Sequence, residues 1–377
     1  MINSSGVKNN GEPEQKNAGY RKDLSNETIR LIEKKYGIEI GNPGQLFLGA
    51  DRDTFVYKVN SKNGKIYFLK IRTGIFNESS IVIPYLLSQK IGRHIIAPIQ
   101  TTDGKLFITD SELTIVLYPF IDGRSGKEID LTDDQLIGLG KTLRQIHEPG
   151  KTGISQEKFG ISCEKFYIPC EKFENKWIPV LTKYMNELDI IPVDNETTRQ
   201  YVNMLGNRKN TITEIMERAE KLHAEILYYG IKNLEPGYCL CHADLHAANI
   251  LIAEDDFYII DWDTMIMAPK ERDLMFIGSG ITGKWNTKRE TDLFYLGYWG
   301  EPDSAESEKF TGSRGNTKVN RTILDYYRFT RIIEDIVVYH DQFFEAHCGE
   351  ENRRLIAERV ESNFLPGSTV EMAFGAD

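Results

Sequence analysis

Three oxygen-bearing side chains at fixed spacing carry the chemistry this chain could do. His242-Ala243-Asp244-Leu245-His246-Ala247-Ala248-Asn249 is a polar loop framed by apolar runs at 238–241 and 250–253. Glu254-Asp255-Asp256 signals a turn, and a third apolar run at 257–260 leads into Asp261-Trp262-Asp263. Asp244 and Asn249 therefore lie on a loop held between strands, and Asp261 lies at the end of the next strand. Asn249 follows Asp244 by five positions, and Asp261 follows Asn249 by twelve. Phosphoryl transfer from a nucleotide needs this set of parts. One carboxylate accepts the proton of the attacking hydroxyl, while an amide oxygen and a second carboxylate hold Mg²⁺ against the phosphates. Such hard oxygen ligands suit Mg²⁺ better than zinc. Taken singly, each of the three residues reads as a turn residue or a helix cap; the spacing of the set is what points to chemistry.

The elements that must position this set follow from the rest of the chain. Ser25-Asn26-Glu27 can cap a helix with Ile29, Ile32 and Tyr36 at helical spacing, ended by the glycines at 41–44. Strand character follows at 45–48, 55–59 and 65–71, with Asn63-Gly64 as the hairpin turn between the last two. A helix is expected over about 78–91, then strands at 95–100, 106–108 and 113–118. Tyr118-Pro119-Phe120-Ile121-Asp122-Gly123 interrupts the strand pattern and marks a hinge at 119–123. The expected division is a tail at 1–22, a small lobe at 23–118 and a large, mainly helical lobe at 124–377. In the large lobe Leu131-Thr132-Asp133-Asp134-Gln135 opens a helix with a capping box that runs to His147, read as structural. Glu-Lys-Phe recurs at 157, 164 and 171, but Gly160 and Pro169 argue against a continuous helix there. A helix is expected near Trp177, and one or more over 194–230. Arg272 and Asp273 are expected to cap or anchor the helix after them. Residues 301–320 read as a flexible loop, and a last strong helix spans about 322–347.

Composition narrows the class. A chain of 377 residues, 40% hydrophobic and 27% charged, is ordinary for a soluble protein of two lobes. No apolar run approaches the length of a membrane span, and the polar first twenty residues lack the apolar core of a signal peptide. These features predict a cytoplasmic protein with a disordered tail and no membrane association. The five cysteines show no paired zinc spacing, so free thiols are expected. A net charge of −10 argues against nucleic acid and suits a cationic small substrate. Nothing points to an obligate protein partner.

Cys-His-Ala-Asp-Leu-His-Ala-Ala-Asn-Ile-Leu (241–251), Ile-Ile-Asp-Trp-Asp (259–263) and Ala-Pro-Lys-Glu-Arg-Asp-Leu-Met-Phe-Ile-Gly (268–278) resemble the aminoglycoside phosphotransferase family, relatives of the protein kinases. The resemblance runs from about residue 25 to the C-terminus and is closest to the spectinomycin branch. It implies a two-lobed α+β fold of protein-kinase type, with a small antiparallel β lobe carrying one helix. It also implies ATP and Mg²⁺ as cofactors, with Asp244 as the catalytic base and Asn249 and Asp261 as metal ligands. Lys70, in Tyr-Phe-Leu-Lys-Ile-Arg, would contact the α- and β-phosphates and be held by Glu78. The turn containing Gly49 and Asp51 would cover the phosphates, although it has one glycine where kinases have three. Tyr118, Phe120 and Ile260 would line the nucleotide site, with main chain near Phe120 reading the adenine edge. Asp-Phe-Gly of a kinase is Asp261-Trp262-Asp263 here, and Ala-Pro-Glu is absent, so no phosphorylation-controlled loop is expected.

The implied reaction is phosphorylation of a hydroxyl on a cationic aminocyclitol antibiotic, spectinomycin first, conferring resistance. Asp263, Asp325, Glu334 and Asp335 are candidates to hold its protonated amines. Arg328 and Arg331 could instead pair with Asp325 and Asp335 on one face of the late helix. A metabolic kinase for choline, homoserine or a sugar-amine is a second reading in the same fold. A nucleotide-binding pseudokinase is a third, weakened because Lys70, Asp244, Asn249 and Asp261 are all present.

Overall fold

The computed structural model describes residues 24–41, 43–46, 54–74, 76–148, 167–234, 237–300, 319–345 and 348–375. Contacts group these into two compact units: the described parts of Met1–Phe76 with Pro98–Phe120, and of Asn77–Ala97 with Ile121–Asp377. The expected tail, the turn holding Gly49 and Asp51, and most of the 301–320 segment lie outside the described residues.

The first unit is an antiparallel sheet with one helix. Helix α1 (Asn26–Tyr36) starts where the Ser25 side chain accepts the Thr28 N–H at 3.0 Å. It stops at Gly37, whose φ of 65° suits glycine. Strands β1 (Gly44–Leu46), β2 (Thr54–Asn60) and β3 (Ile66–Thr73) are followed, after helix α2 (Ser79–Ile91) of the second unit, by β4 (Ile108–Asp110) and β5 (Leu113–Pro119). The sheet order is β1-β2-β3-β5-β4. Alternation fixes its faces: Tyr67, Leu69 and Ile71 of β3 are buried with Ile32 and Tyr36 of α1, while Phe68, Lys70 and Arg72 point to the opposite face.

Two sequence expectations are corrected in this region. Residues 95–100 form no strand: Ile95 makes an isolated bridge to Ile259, and Ile99 donates to Leu117 O at 2.7 Å. Pro98 between them has no N–H to continue a ladder. Helix α2 was expected in the small lobe, yet residues 77–97 group with the second unit. Its Ile83 and Leu87 are fully buried in the same cluster as Leu139, Leu143, Ile250 and Ile259, which accounts for the placement.

The second unit is mainly helical. After the short strand β6 (Arg124–Ser125) comes α3 (Asp133–His147), opened by the predicted capping box between Thr132 and Gln135. Helices α4 (Trp177–Glu187), α5 (Glu196–Asn207), α6 (Lys209–Tyr229) and α7 (Ile231–Leu234) lead to β7 (Cys239–Cys241), β8 (Ile250–Ala253), β9 (Asp256–Ile259) and β10 (Ile266–Ala268). Helices α8 (Glu271–Leu274), α9 (Lys288–Trp299), α10 (Arg321–Phe344), α11 (Glu350–Ser362) and α12 (Thr369–Phe374) complete it. β7 pairs with β10, and β6-β8-β9 form a second small sheet, so the site loop is held by two separate ladders.

Two features of this unit bear on the site. Helices α3 and α9 cross at Gly140 and Gly297, where an added Cβ would strike the facing backbone of Phe294 or Ile137. That close approach brings His147, at the end of α3, to Tyr298 at 2.6 Å. Helix α10 carries Ile332, Ile336 and Phe343 into a core shared with α4, α5 and α6, and buries Arg328 and His340 as well.

Candidate active site

Asp244 sits at the centre of a short loop in which almost every polar group has a defined partner. The side chain of Asn249 donates from Nδ2 to the Asp244 backbone oxygen at 2.8 Å and to Asp244 Oδ2 at 3.2 Å. A carbonyl can only accept, so this fixes which end of the amide faces Asp244. The other end, Oδ1, is left as the one that can ligate a hard cation. His246 Nε2 lies 3.4 Å from Asp244 Oδ2. The other carboxylate oxygen, Oδ1, accepts from Arg331 Nη1 at 2.6 Å, and Arg331 Nε donates to Asp335 Oδ1 at 2.8 Å.

The backbone of this loop is pinned from below. Asp273 is completely buried and accepts the N–H of His242 at 2.9 Å and of Ala243 at 2.7 Å. Ala243 has φ of 67°, a left-handed conformation that alanine avoids unless its surroundings impose it. Asp273 also meets His147 Nε2 at 3.0 Å, while His147 Nδ1 faces the Tyr298 hydroxyl. This corrects the expected role of Asp273. Its carboxylate reaches back to the loop before Asp244 and does not cap the helix after it. The expected structural role of His147 holds, because it orients Asp273. Arg272 lies over the Tyr327 ring at 5.3 Å.

A second connection ties Asp244 to Asp261. His242 is fully buried; its Nδ1 accepts the Asp244 N–H at 3.3 Å, so its proton is on Nε2, which donates to Ile260 O at 2.9 Å. Ile260 N–H donates to Asn249 O at 3.0 Å. Both backbone groups of Ile260 are thus used by the loop, and only its half-buried side chain remains for a nucleotide. Asp261 follows in the left-handed region, at φ 64° and ψ 68°, and is exposed. Asp263 is exposed in the single turn Trp262–Thr264, whose Thr264 hydroxyl donates to His242 O at 2.9 Å.

The charges reinforce each other. Burial acts to raise the pKa of Asp244, but the hydrogen bond from His246 and the Arg331 guanidinium outweigh it and hold the carboxyl well below the usual range. Asp273 is likewise depressed: burial opposes ionisation, and the hydrogen bond and charge of His147 overcome it. Asp335 is shifted the other way, because burial and the neighbouring Glu334 exceed the attraction of Arg331.

The remaining predicted residues are placed as follows. Lys70 is half-buried at mid-β3, in register with Val56 and Val116. Glu78 is exposed at the start of α2, in the second unit, and makes no side-chain cap. Tyr118 is half-buried on β5 with its ring 6.4 Å from Phe68. The Phe120 N–H donates to Ile66 O at 3.3 Å, so it serves the sheet and is not open to an adenine edge. Lys58 covers the Phe120 ring at 4.3 Å. The expected pairing is found for Asp335, which Arg331 bridges, but Asp325 lies 4.0 Å from Arg321, and the buried Arg328 donates instead to Met275 O and Ile277 O. Cys170, Cys239, Cys241 and Cys348 are free thiols, as expected.

Sequence reasoning missed Arg331 as a partner of Asp244, and it gave no role to His242 or His246. The histidines flank Asp244 in the motif itself. Arg331 stands 87 positions away and leaves no local signal.

Comparison with known proteins identifies the family. The model of the phosphotransferase enzyme family, APH, matches residues 97–303. The crystal structure of spectinomycin phosphotransferase, APH(9)-Ia, in complex with ADP and spectinomycin is 32% identical; the match covers 94% of this chain and 98% of that one, with a TM-score of 0.80. This chain belongs to the phosphotransferase enzyme family. The AMP-bound complex of the same enzyme gives 32% identity over 93% of this chain and 98% of that one, at a TM-score of 0.77. An amicoumacin kinase complex shares the fold alone, at 15% identity and a TM-score of 0.55 over 93% of each chain. No curated protein matches the sequence. The chain is therefore a phosphotransferase with an alcohol group as acceptor, built on a protein-kinase-like fold. Among the described residues, no helix of this phosphotransferase is long and apolar enough to cross a membrane.

Proposed function

We propose that this phosphotransferase transfers the γ-phosphoryl group of ATP, with Mg²⁺, to a hydroxyl of spectinomycin or a close aminocyclitol, and so confers resistance. One observation carries the reading. The relative with spectinomycin and ADP bound is 32% identical over 94% of this chain, and the chain carries the set Asp244, Asn249 and Asp261. The acidic balance of the chain, net −10, supports a cationic acceptor.

The donor set fits magnesium. Asn249 directs its amide nitrogen to Asp244, which leaves an amide oxygen for a hard cation, and the exposed Asp261 adds a carboxylate. Bound there, the ion would neutralise charge developing on the transferred phosphoryl group. Asp244 orients the acceptor hydroxyl and takes its proton as the new P–O bond forms and ADP leaves. Its depressed pKa makes it a weak base, which a loose transition state tolerates because orientation contributes more than proton abstraction. Lys70 is assigned to the nucleotide phosphates and Asp263 to an acceptor ammonium; a charge-assisted contact of that kind contributes roughly 1.5–3 kcal/mol.

The test is ADP release measured in parallel with spectinomycin, kanamycin, choline and homoserine. Release with spectinomycin alone supports the reading. Release with choline or homoserine and none with spectinomycin moves the chain to a metabolic role in the same family.

A further inference from the structure

Arg331 stands on the one carboxylate oxygen of Asp244 that the loop itself does not hold. Asn249 and His246 both face Oδ2, at 3.2 and 3.4 Å, and Arg331 Nη1 takes Oδ1 at 2.6 Å. Arg331 is in turn anchored one helical turn away by Asp335, at 2.8 Å through Nε. The face of Phe276 lies 5.7 Å from the guanidinium, an arrangement that restricts a planar cation. All three charged groups are largely buried, with side chains 24% exposed for Asp244, 16% for Arg331 and 17% for Asp335. Helix α10 is fixed at this point by its buried Ile332, Ile333 and Ile336, so Arg331 projects from a rigid support.

We infer that Arg331 is the positioning residue of the transfer reaction, locking the rotamer of Asp244 from outside its own loop, with Asp335 as the anchor of Arg331. The inference rests on the reading of Asp244 as the group that orients the acceptor hydroxyl. Two consequences follow from the geometry. With both oxygens gripped, the carboxylate plane is set before the acceptor arrives, and only its remaining lone pairs can receive the hydroxyl proton. Asp335 is assigned to Arg331 and not to the acceptor, so recognition of an acceptor ammonium falls to other acids, Asp263 among them.

The test compares Arg331→Ala, Arg331→Lys, Asp335→Ala and the double variant Arg331→Met with Asp335→Asn, which removes the pair without leaving Asp335 as an unpaired charge. Asp244→Asn runs alongside, and each protein is checked by thermal unfolding. The assay is spectinomycin-dependent ADP release with each substrate varied in turn. Arg331→Ala should lower kcat on the order of 10- to 100-fold, the scale of a small misplacement of a reacting group, with KM for ATP near wild type. Arg331→Lys should restore part of kcat, and Asp335→Ala should give a smaller loss with the same split between kcat and KM. The double variant should be no slower than Arg331→Ala, because the two residues act as one unit. Wild-type kcat in Arg331→Ala or in the double variant overturns the inference. So does a loss that merely tracks unfolding, with no rescue by lysine. Inactive Asp244→Asn beside unaffected Arg331 variants sinks this inference alone. Near-normal turnover in Asp244→Asn removes the reading of Asp244 beneath it.

Discussion

Asp273 accepts the backbone N–H groups of both His242 and Ala243, at 2.9 and 2.7 Å, and thereby holds Ala243 in a left-handed conformation next to Asp244. The backbone leading into Asp244 is thus set by a second carboxylate 29 residues further along the chain, one that is fully buried. Asp273 depends on His147, which depends on the α3–α9 crossing at Gly140 and Gly297.

Asp273→Ala should destabilise the protein by on the order of 3 kcal/mol or more, because it leaves buried donors without an acceptor. Asp273→Asn should cost less yet still disturb the loop, since one amide oxygen replaces two acceptors. The depressed pKa gives a pH signature of known sign. The unfolded aspartate titrates near ~3.9, above the folded one, so the contribution is complete above that value and is lost as pH falls toward the folded pKa. Urea unfolding of wild type and Asp273→Asn at several pH values checks this. The wild type should lose stability on acidification more steeply; parallel curves would argue against it.

Asp244→Ala should reduce turnover by roughly 10²–10⁴-fold, nearer the low end if orientation dominates. Nucleotide affinity should survive, because Asp244 is proposed to act on the acceptor hydroxyl and not on the nucleotide. Single-turnover kinetics together with ATP titration separate the two effects.

Asp261→Ala and Asn249→Ala should raise the Mg²⁺ concentration needed for nucleotide binding before they change the fold. Asp261→Asn is the sharper variant. Asparagine tolerates the left-handed backbone at this position, so the charge is removed without adding strain. An unchanged Mg²⁺ dependence of nucleotide binding in Asp261→Asn would contradict its role as a ligand.

Lys70→Ala should weaken nucleotide binding or slow turnover while leaving acceptor affinity close to wild type. Its half-buried place between Leu69 and Ile71 predicts little change in stability, because the side chain lies on the face opposite the core. Equilibrium dialysis of each substrate checks the asymmetry.

Much of this architecture is legible locally. The Thr132–Gln135 capping box, the turn at Gly64 and the β8–β9 hairpin are each written within a few residues, and local patterns place them. The candidate set was legible for the same reason, because Asp244, Asn249 and Asp261 belong to one strand–loop–strand stretch. What escaped depends on distance. The strand expected at 95–100 fails because Ile95 and Ile99 bond to different sheets across Pro98. The role of Asp273 could not be inferred from a four-residue helix, since its partners lie 30 and 31 positions back. A single signal hinted at it: an acid opening directly onto the buried run Leu274, Met275, Phe276 and Ile277 needs a buried partner. Arg331 was visible as a partner of Asp335 by helical spacing, but its second bond, to Asp244, is a product of the tertiary fold.

The most direct measurement is ³¹P NMR of the purified protein incubated with ATP, Mg²⁺ and spectinomycin. The account predicts a new phosphomonoester resonance on the antibiotic that grows as ADP appears and is lost in Asp244→Ala. ADP accompanied by inorganic phosphate alone, with spectinomycin unmodified, would contradict it.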